Sequence, residues 1–499
     1  MTIIGKAKNG SPTIIKDGYY LISSYNPENE IDRFVESQGD VNGQFFILFG
    51  SALGYMVNAL VKKGVNNNDI LVYEPDPVCS EFMADKLKDY ILLDRGLTDY
   101  GLFERMLSER KKPRVLALES FRKLYPDDYS EFSVRLSRAV GIAAENIKVS
   151  SYFSKVWFIN FIRNLAFFMD NENCSCLQDI RGKIQTDVLI CAAGPSLNRS
   201  LDEIRDNMDN LILISVLPAA VTLMESGIRP DFVIVSDGGV YNKILGSGLP
   251  PDIPVLASIY SSSSLLSPLG NSKLFYDLEY SLENMEFSLK YPSVAIDAGV
   301  LANMISSGSV IFAGLDLAYS KRSGSHSSGN LFREMERSAS DRLRTFHTKN
   351  TSFLARRDIK ALLDDNNEYF SNDQLLLIKE TAVKMFAGNS FVSGGADFPG
   401  MTAYDSFKNI ELSKIDKEMK TENKAEIKSC FSRDSGVLDR IKITARKIRE
   451  ELESIDAGFC SRVFVRESLM NIPLEEISLY YGQKLDRLFH QIFSTSAPR

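Results

Sequence analysis

The sequence predicts an α/β fold of two doubly wound units followed by a helical C-terminal domain. Three observations carry that expectation. Short apolar runs alternate with helical stretches in two separate regions, many of the runs end at a glycine or a carboxylate, and beyond Ile410 they give way to Glu-, Lys-, Arg- and Leu-rich helical periodicity.

In the first region, Phe45–Phe49 (FFILF) is followed by Gly50 and Gly54 and then by a helix-like stretch through Leu60 and Val61. Ile70–Tyr73 ends at Glu74, and Val115–Leu118 ends at Glu119. Residues 41–180 therefore read as a small Rossmann-like domain, preceded by an N-terminal extension over 1–40. The turn is spaced GxxxG rather than GxGxxG, which favours a structural turn over a working cofactor site, although Glu74 stands where an acid could bind ribose hydroxyls.

The second region, 181–405, offers strands at Val188–Cys191, Leu211–Ser215, Phe232–Ser236, Val255–Ile259 and Val310–Ala313. Helical stretches lie at 201–210 and Leu217–Glu225, and Pro230 favours an extended approach to the strand after it. Ser261–Ser264 and Ser323–Gly329 read as loops. Residues 406–499 form the helical domain, with breaks expected near 431–435 and at Gly458. No sequence repeat argues for a solenoid.

The 499 residues are 44% hydrophobic and 25% charged, the balance of an ordinary globular protein, and the net charge is -7. That field does not attract nucleic acid or an anionic membrane. The N-terminus lacks the pattern of a secretory signal, and the most apolar window, Leu211–Met224, is too short to span a bilayer, so a cytoplasmic location with no integral membrane segment is expected. Six cysteines, with only Cys174 and Cys176 close together, supply no zinc framework and read as free thiols.

Candidate chemistry concentrates in the second region. In Asp187–Leu197, DVLICAAGPSL, a buried strand feeds a turn of small residues. Ala193, Gly194, Pro195 and Ser196 permit close backbone approach, and amides at the turn and helix start suit a phosphate. The alternative is a tight structural turn with Ser196 as a helix cap. No P-loop frame or lysine is present. Ser215 ends the next strand and joins the candidate nucleotide contacts. Asp237 follows FVIVS and Asp316 follows VIFAGL, so each presents a carboxylate at a strand end, where it could orient a ligand or satisfy loop amides. No DxD motif specifies a metal, and no tightly bound cofactor is expected.

Only three histidines occur. His326 lies in a Ser/Gly loop after Asp316 and suits proton abstraction near neutral pH. His347 has basic neighbours, and His490 is at the polar C-terminus. Tyr319, Lys321 and Arg322 precede His326 and could meet a leaving phosphate.

Taken in order, CAAGPSL, SGIRPDFVIVSDGG, FAGLDLAY, SHSSG and VSGGADFPG resemble the motility-associated factor (Maf) family of flagellin glycosyltransferases, with its MptE-like central domain. FGSALGY and VYEPDP resemble that family's preceding Rossmann-like domain. The resemblance implies a central domain similar to bacterial sialyltransferases and a CMP-activated nonulosonic acid, of pseudaminic or legionaminic type, as donor. Gly194–Ser196 would match the nucleotide-binding segment, Asp316 the GxD segment, Tyr319 a phosphate contact and His326 the catalytic histidine. The implied reaction is inverting O-glycosylation of Ser/Thr, with flagellin as the partner; a homo-oligomer is compatible with it. The divalent metal requirement is left open. A pterin diphosphokinase-like enzyme and a non-catalytic flagellin-binding or assembly protein are the alternatives.

Overall fold

The computed structural model describes residues 1–499 apart from 85–90, 95, 98, 110, 178–183, 240–245, 247, 286–290, 323, 325, 328–344, 357–358, 362–368, 387–389, 393–401, 405–411, 413–414, 416, 455, 457–458, 460–462, 465–472 and 495–499. Two compact units divide the chain, Met1–Ser150 and Ser151–Arg499. The division falls within the helix Pro126–Asp170, so the boundary stands at 150 where the sequence suggested 180.

In the first unit, β1 (Thr2–Lys6), β2 (Pro12–Lys16) and β3 (Tyr19–Tyr20) form an antiparallel sheet. Strands β4 (Gln44–Phe49), β5 (Ile70–Tyr73), β6 (Ile91–Leu92) and β7 (Lys112–Ala117) form a parallel sheet in the order β6-β5-β4-β7. All five residues of FFILF are buried, as befits a central parallel strand covered on both faces. The helix Pro27–Ser37 begins where Asn26 accepts from the Asn29 amide and Pro27 occupies the first turn, and it buries Ile31 and Val35. Those residues, with Ile14, Leu21 and Ile22, join the FFILF core. Residues 1–40 are thus part of this unit's core rather than an extension to it.

The second unit is built on a sheet whose described strands are β8 (Cys174–Leu177), β9 (Val188–Cys191), β10 (Ile212–Val216), β11 (Phe232–Val235), β12 (Val255–Ala257), β13 (Lys273–Phe275), β14 (Val310–Ala313), β18 (Ser390–Val392), β19 (Thr402–Tyr404) and β20 (Phe431–Ser432). A small antiparallel sheet contains β15 (Tyr319–Ser320), β16 (Lys360–Ala361) and β17 (Tyr369–Ser371). The large sheet runs β19-β18-β14-β9-β10-β11-β12-β13-β8-β20, with every neighbour parallel except β20 against β8. From β9 the chain builds outward on one side through β13, then returns to the other side of β9 with β14. Consecutive connections therefore diverge between β9 and β14, and a crevice opens at their carboxyl ends.

The tail of the long helix fastens loops at that same edge of the sheet. Asn164 is buried and donates to Ile259 O at 2.8 Å and Ser261 O at 2.9 Å. Asn160 donates to Gly238 O and Tyr260 O and accepts from Ser263. At the opposite edge, the buried Asp231 carboxylate accepts from the Leu213 amide and pairs with Lys420 and Lys424 at 2.8 and 3.0 Å. Those lysines belong to the helix Lys417–Ser429, which is followed by β20 and the helix Ser435–Glu453; a further helix covers Leu474–Ser494. The C-terminal stretch is helical as the sequence suggested, yet it contributes β20 to the sheet and belongs to the same compact unit. Gly458 lies outside the described residues.

Among the described residues, Cys79, Cys174, Cys176, Cys191 and Cys430 are free thiols, and no helix is long and apolar enough to cross a membrane.

Candidate functional site

Two turns leave the sheet side by side at the divergence of β9 and β14. The β9–β14 ladder continues beyond the strand ends, with Ala192 N donating to Ala313 O and Gly194 N to Gly314 O, each at 2.8 Å. A β-carbon on Gly194 would overlap Asp316 Oδ2 and Gly314 O, and one on Gly314 would overlap Ala192 O and approach Leu197 Cβ to 3.0 Å. Gly314 also has φ +69°, in the left-handed region that glycine enters without strain. The crossing is therefore as close as two backbones with no side chain between them.

Asp316 locks it. This buried carboxylate accepts from the Ser196 amide at 2.9 Å. Burial raises its pKa, while the Ser196 amide and hydroxyl and the Arg199 charge pull the other way. Ser196 stands at the start of the helix Leu197–Asn207, but its side chain makes no capping bond. The amides of Gly194 and Ser196, proposed from sequence as phosphate donors, are thus spent on Gly314 and Asp316. The physical reason is that two turns crossing this closely must satisfy each other's buried backbone groups.

Over this crossing lies a cavity of about 400 Å³ lined by Ala192, Ala193, Gly194, Val216, Pro218, Ser293–Ala295, Gly314–Tyr319, His326 and Leu375. The size suits a nucleotide-scale ligand. Its walls are mostly apolar, and its titratable groups are Asp316, Tyr319 and His326. Tyr319 begins β15, packs edge-on to Phe353 with ring centroids 4.9 Å apart, and its hydroxyl accepts from Asn372 at 3.3 Å. His326 is half-buried, and burial lowers its pKa, so its imidazole is neutral at pH 7.

Ala193, Gly194, Asp316, Tyr319 and His326 therefore converge, whereas the other sequence candidates do not line the cavity. Pro195 and Ser196 are buried in the turn. Ser215 is fully buried and donates to Val216 O, so it is the next residue, Val216, that faces the cavity. Asp237 is exposed and closes its own turn by accepting from Gly239 N at 2.8 Å. Lys321, Arg322, His347 and His490 are exposed. In the first unit, Glu74 is buried and accepts from the Ser51 amide and hydroxyl at 3.1 Å each, so this acid braces the glycine turn instead of facing a ribose site.

Sequence reasoning missed two groups. One is Ser327, whose amide donates to Ala193 O. The other is the trio Ser236, Tyr276 and Asp297 at the same edge of the sheet, whose Oγ, hydroxyl and Oδ2 are buried together. Burial pushes Asp297 up to about 7 against the downward pull of Ser236 and Tyr276, assisted by the nearby Asp277 charge, which itself is pushed up to about 6 by burial. Asp297 lies in the first turn of the helix Val294–Ile305, whose opening residues line the cavity; a carboxylate set between Val294–Ile296 and Ala298 inside an apolar helix has no strand-end or glycine turn beside it to single it out.

Fold and site define an α/β protein with a nucleotide-sized cavity at the switch point of a parallel sheet. Residues 159–322 match the family model described as 6-hydroxymethylpterin diphosphokinase MptE-like, a stretch that holds both turns, Tyr319 and all of β9 to β14. The fold of the whole chain is similar to that of the Maf glycosyltransferase from Magnetospirillum magneticum AMB-1: TM-score 0.58, 14% identity, covering 99% of this chain and 86% of that one. An uncharacterized protein of Treponema pallidum (strain Nichols) is 25% identical over 126 residues, 24% of this chain; the match spans 55% of that relative's length. The resemblance expected from the motifs is met in the MptE-like stretch and in the Maf-like fold.

Proposed function

We propose that this protein is a glycosyltransferase of the Maf type, transferring a nonulosonic acid from a CMP-activated donor to Ser/Thr hydroxyls of flagellin in the cytoplasm. The observation that carries the reading is the cavity at the β9/β14 switch point, with His326 and Tyr319 on its wall. The fold likeness, which extends over both units and the C-terminal helices, favours it over an isolated diphosphokinase domain.

In this reading the donor's nucleotide lies over Ala193 and Gly194, whose small size lets it approach the backbone closely. Tyr319 would donate its hydroxyl proton to the departing phosphate while its oxygen accepts from Asn372. The acceptor oxygen attacks the anomeric carbon, the bond to the CMP oxygen breaks with its electron pair, and His326 takes the hydroxyl proton. One displacement inverts the anomeric centre. Asp316 is held by Ser196 and positions the turn; it is not the base.

The MptE-like description of residues 159–322 favours a second reading, diphosphate transfer from a nucleoside triphosphate to a hydroxymethylpterin. One experiment separates them. Purified protein is incubated with flagellin and CMP-pseudaminic or CMP-legionaminic acid, and in parallel with ATP, Mg²⁺ and hydroxymethylpterin. A flagellin mass increment of one sugar residue or its multiples supports the transferase; no increment, with pterin diphosphate formed, overturns it.

A further inference from the structure

The His326 loop is tied down by the residue after it. Ser327 is fully buried; its amide donates to Ala193 O at 2.9 Å, and its hydroxyl lies 2.9 Å from the buried Thr222 hydroxyl. One bond reaches the glycine turn of the cavity floor, and the other reaches the helix Leu217–Glu225, which begins directly after β10. The start of the loop is fixed separately. Ser320 and Gly324 exchange backbone bonds at 2.8 and 3.0 Å, and Asn350 donates to Ser320 O and Lys321 O at 3.0 Å each. His326 therefore sits between a closed turn and a two-point anchor.

We propose that Ser327 and Thr222 are positioning residues, which hold His326 on the cavity wall that Ala193 and Gly194 also line. The Ser327 amide sets the height of the loop over the turn, and the Ser327–Thr222 hydroxyl pair prevents it from lifting. Without that pair a buried serine hydroxyl would lack its partner, and the loop would move outward to hydrate it. The catalytic consequence rests on the transferase reading, but the placement of His326 does not.

Only three histidines need resolving, so histidine-selective isotope labelling of the full chain gives a direct readout. The His326 signal is assigned by its loss in His326→Gln. In the unaltered protein it is expected to titrate below the ordinary histidine range, because burial lowers its pKa. Thr222→Val, which keeps the shape and removes the hydroxyl, is expected to return that titration toward the ordinary range, as is Ser327→Ala; Thr222→Ser is expected to restore it. With CMP-pseudaminic acid and flagellin, Thr222→Val is expected to lower kcat roughly ten- to hundredfold with little change in the donor KM. If Ser327→Ala does not fold, Thr222→Val carries the test alone. Unchanged His326 titration in the folded variants overturns the proposal. A moved titration in a protein that transfers no sugar sinks the transferase reading and leaves the anchor standing.

Discussion

Asp316 accepts a hydrogen bond from the Ser196 amide at 2.9 Å across 120 positions of sequence, and its carboxylate fills the space where a side chain on Gly194 would stand. The pair fixes the two turns that floor the cavity. Asp316→Ala would strand a buried amide and is expected to cost about 1–3 kcal/mol. Asp316→Asn can still accept from Ser196, so it should stay near the unaltered protein in chemical denaturation and retain most transfer. Complete loss of transfer in a stable Asp316→Asn protein would give the carboxylate a direct chemical role.

Gly194→Ala tests the closeness of the crossing. The added methyl meets backbone and a buried carboxylate rather than a flexible side-chain end, so the turn must shift. A loss of about 1–3 kcal/mol or more is expected in urea unfolding, together with weaker CMP binding. A neutral substitution would show that the turns have slack.

His326→Ala should lower transfer by roughly 10²–10⁴-fold while CMP binding by calorimetry persists. Because burial lowers the histidine pKa, the acid limb of the rate profile should fall below the usual range near 6.5, and transfer should be lost only as pH drops through that lower value. An acid limb at or above 6.5 would be inconsistent with the half-buried placement.

Glu74 gives the first unit a pH dependence of its own. Burial pushes it up to about 7 from 4.5, and its Oε1 has no hydrogen-bond partner. The folded state then holds a proton that the unfolded chain has released, so stability is greatest below about pH 4.5 as far as this group is concerned. It falls by on the order of 3 kcal/mol as pH rises to about 7, and flattens above. Glu74→Gln should flatten that slope in urea titrations between pH 5 and 8; an unchanged slope would show that Glu74 does not set it.

Much of this was legible in the sequence where strands are central. FFILF, ILVY, VLIC and VIFA are buried on both faces, so each reads as an unbroken apolar run, and the turns after β9 and β14 follow from their glycines. The strands that escaped notice are short or peripheral: β8 reads CSCL and alternates buried with half-buried residues, β13 reads KLF with its lysine buried, and β20 is two residues long. The first hairpin read only as part of an N-terminal extension, although Ile14 is fully buried. Within the site, Gly194 and Asp316 announced themselves through strand-end position, His326 through scarcity, and Tyr319 through its nearness to His326. Ser327 did not, because a serine in a serine-rich loop has no pattern, and its partner Thr222 lies 105 residues away. Asp237 misled because a carboxylate after a strand serves equally well to close a turn.

The central claim is that the β9/β14 cavity receives the cytidine nucleotide of the donor. A crystal structure of the protein grown with CMP tests it most directly. CMP is expected over Ala193 and Gly194, bordered by Leu315–Tyr319, with its phosphate toward Tyr319. CMP bound elsewhere, or well-diffracting crystals at saturating CMP with that cavity holding only solvent, would contradict it.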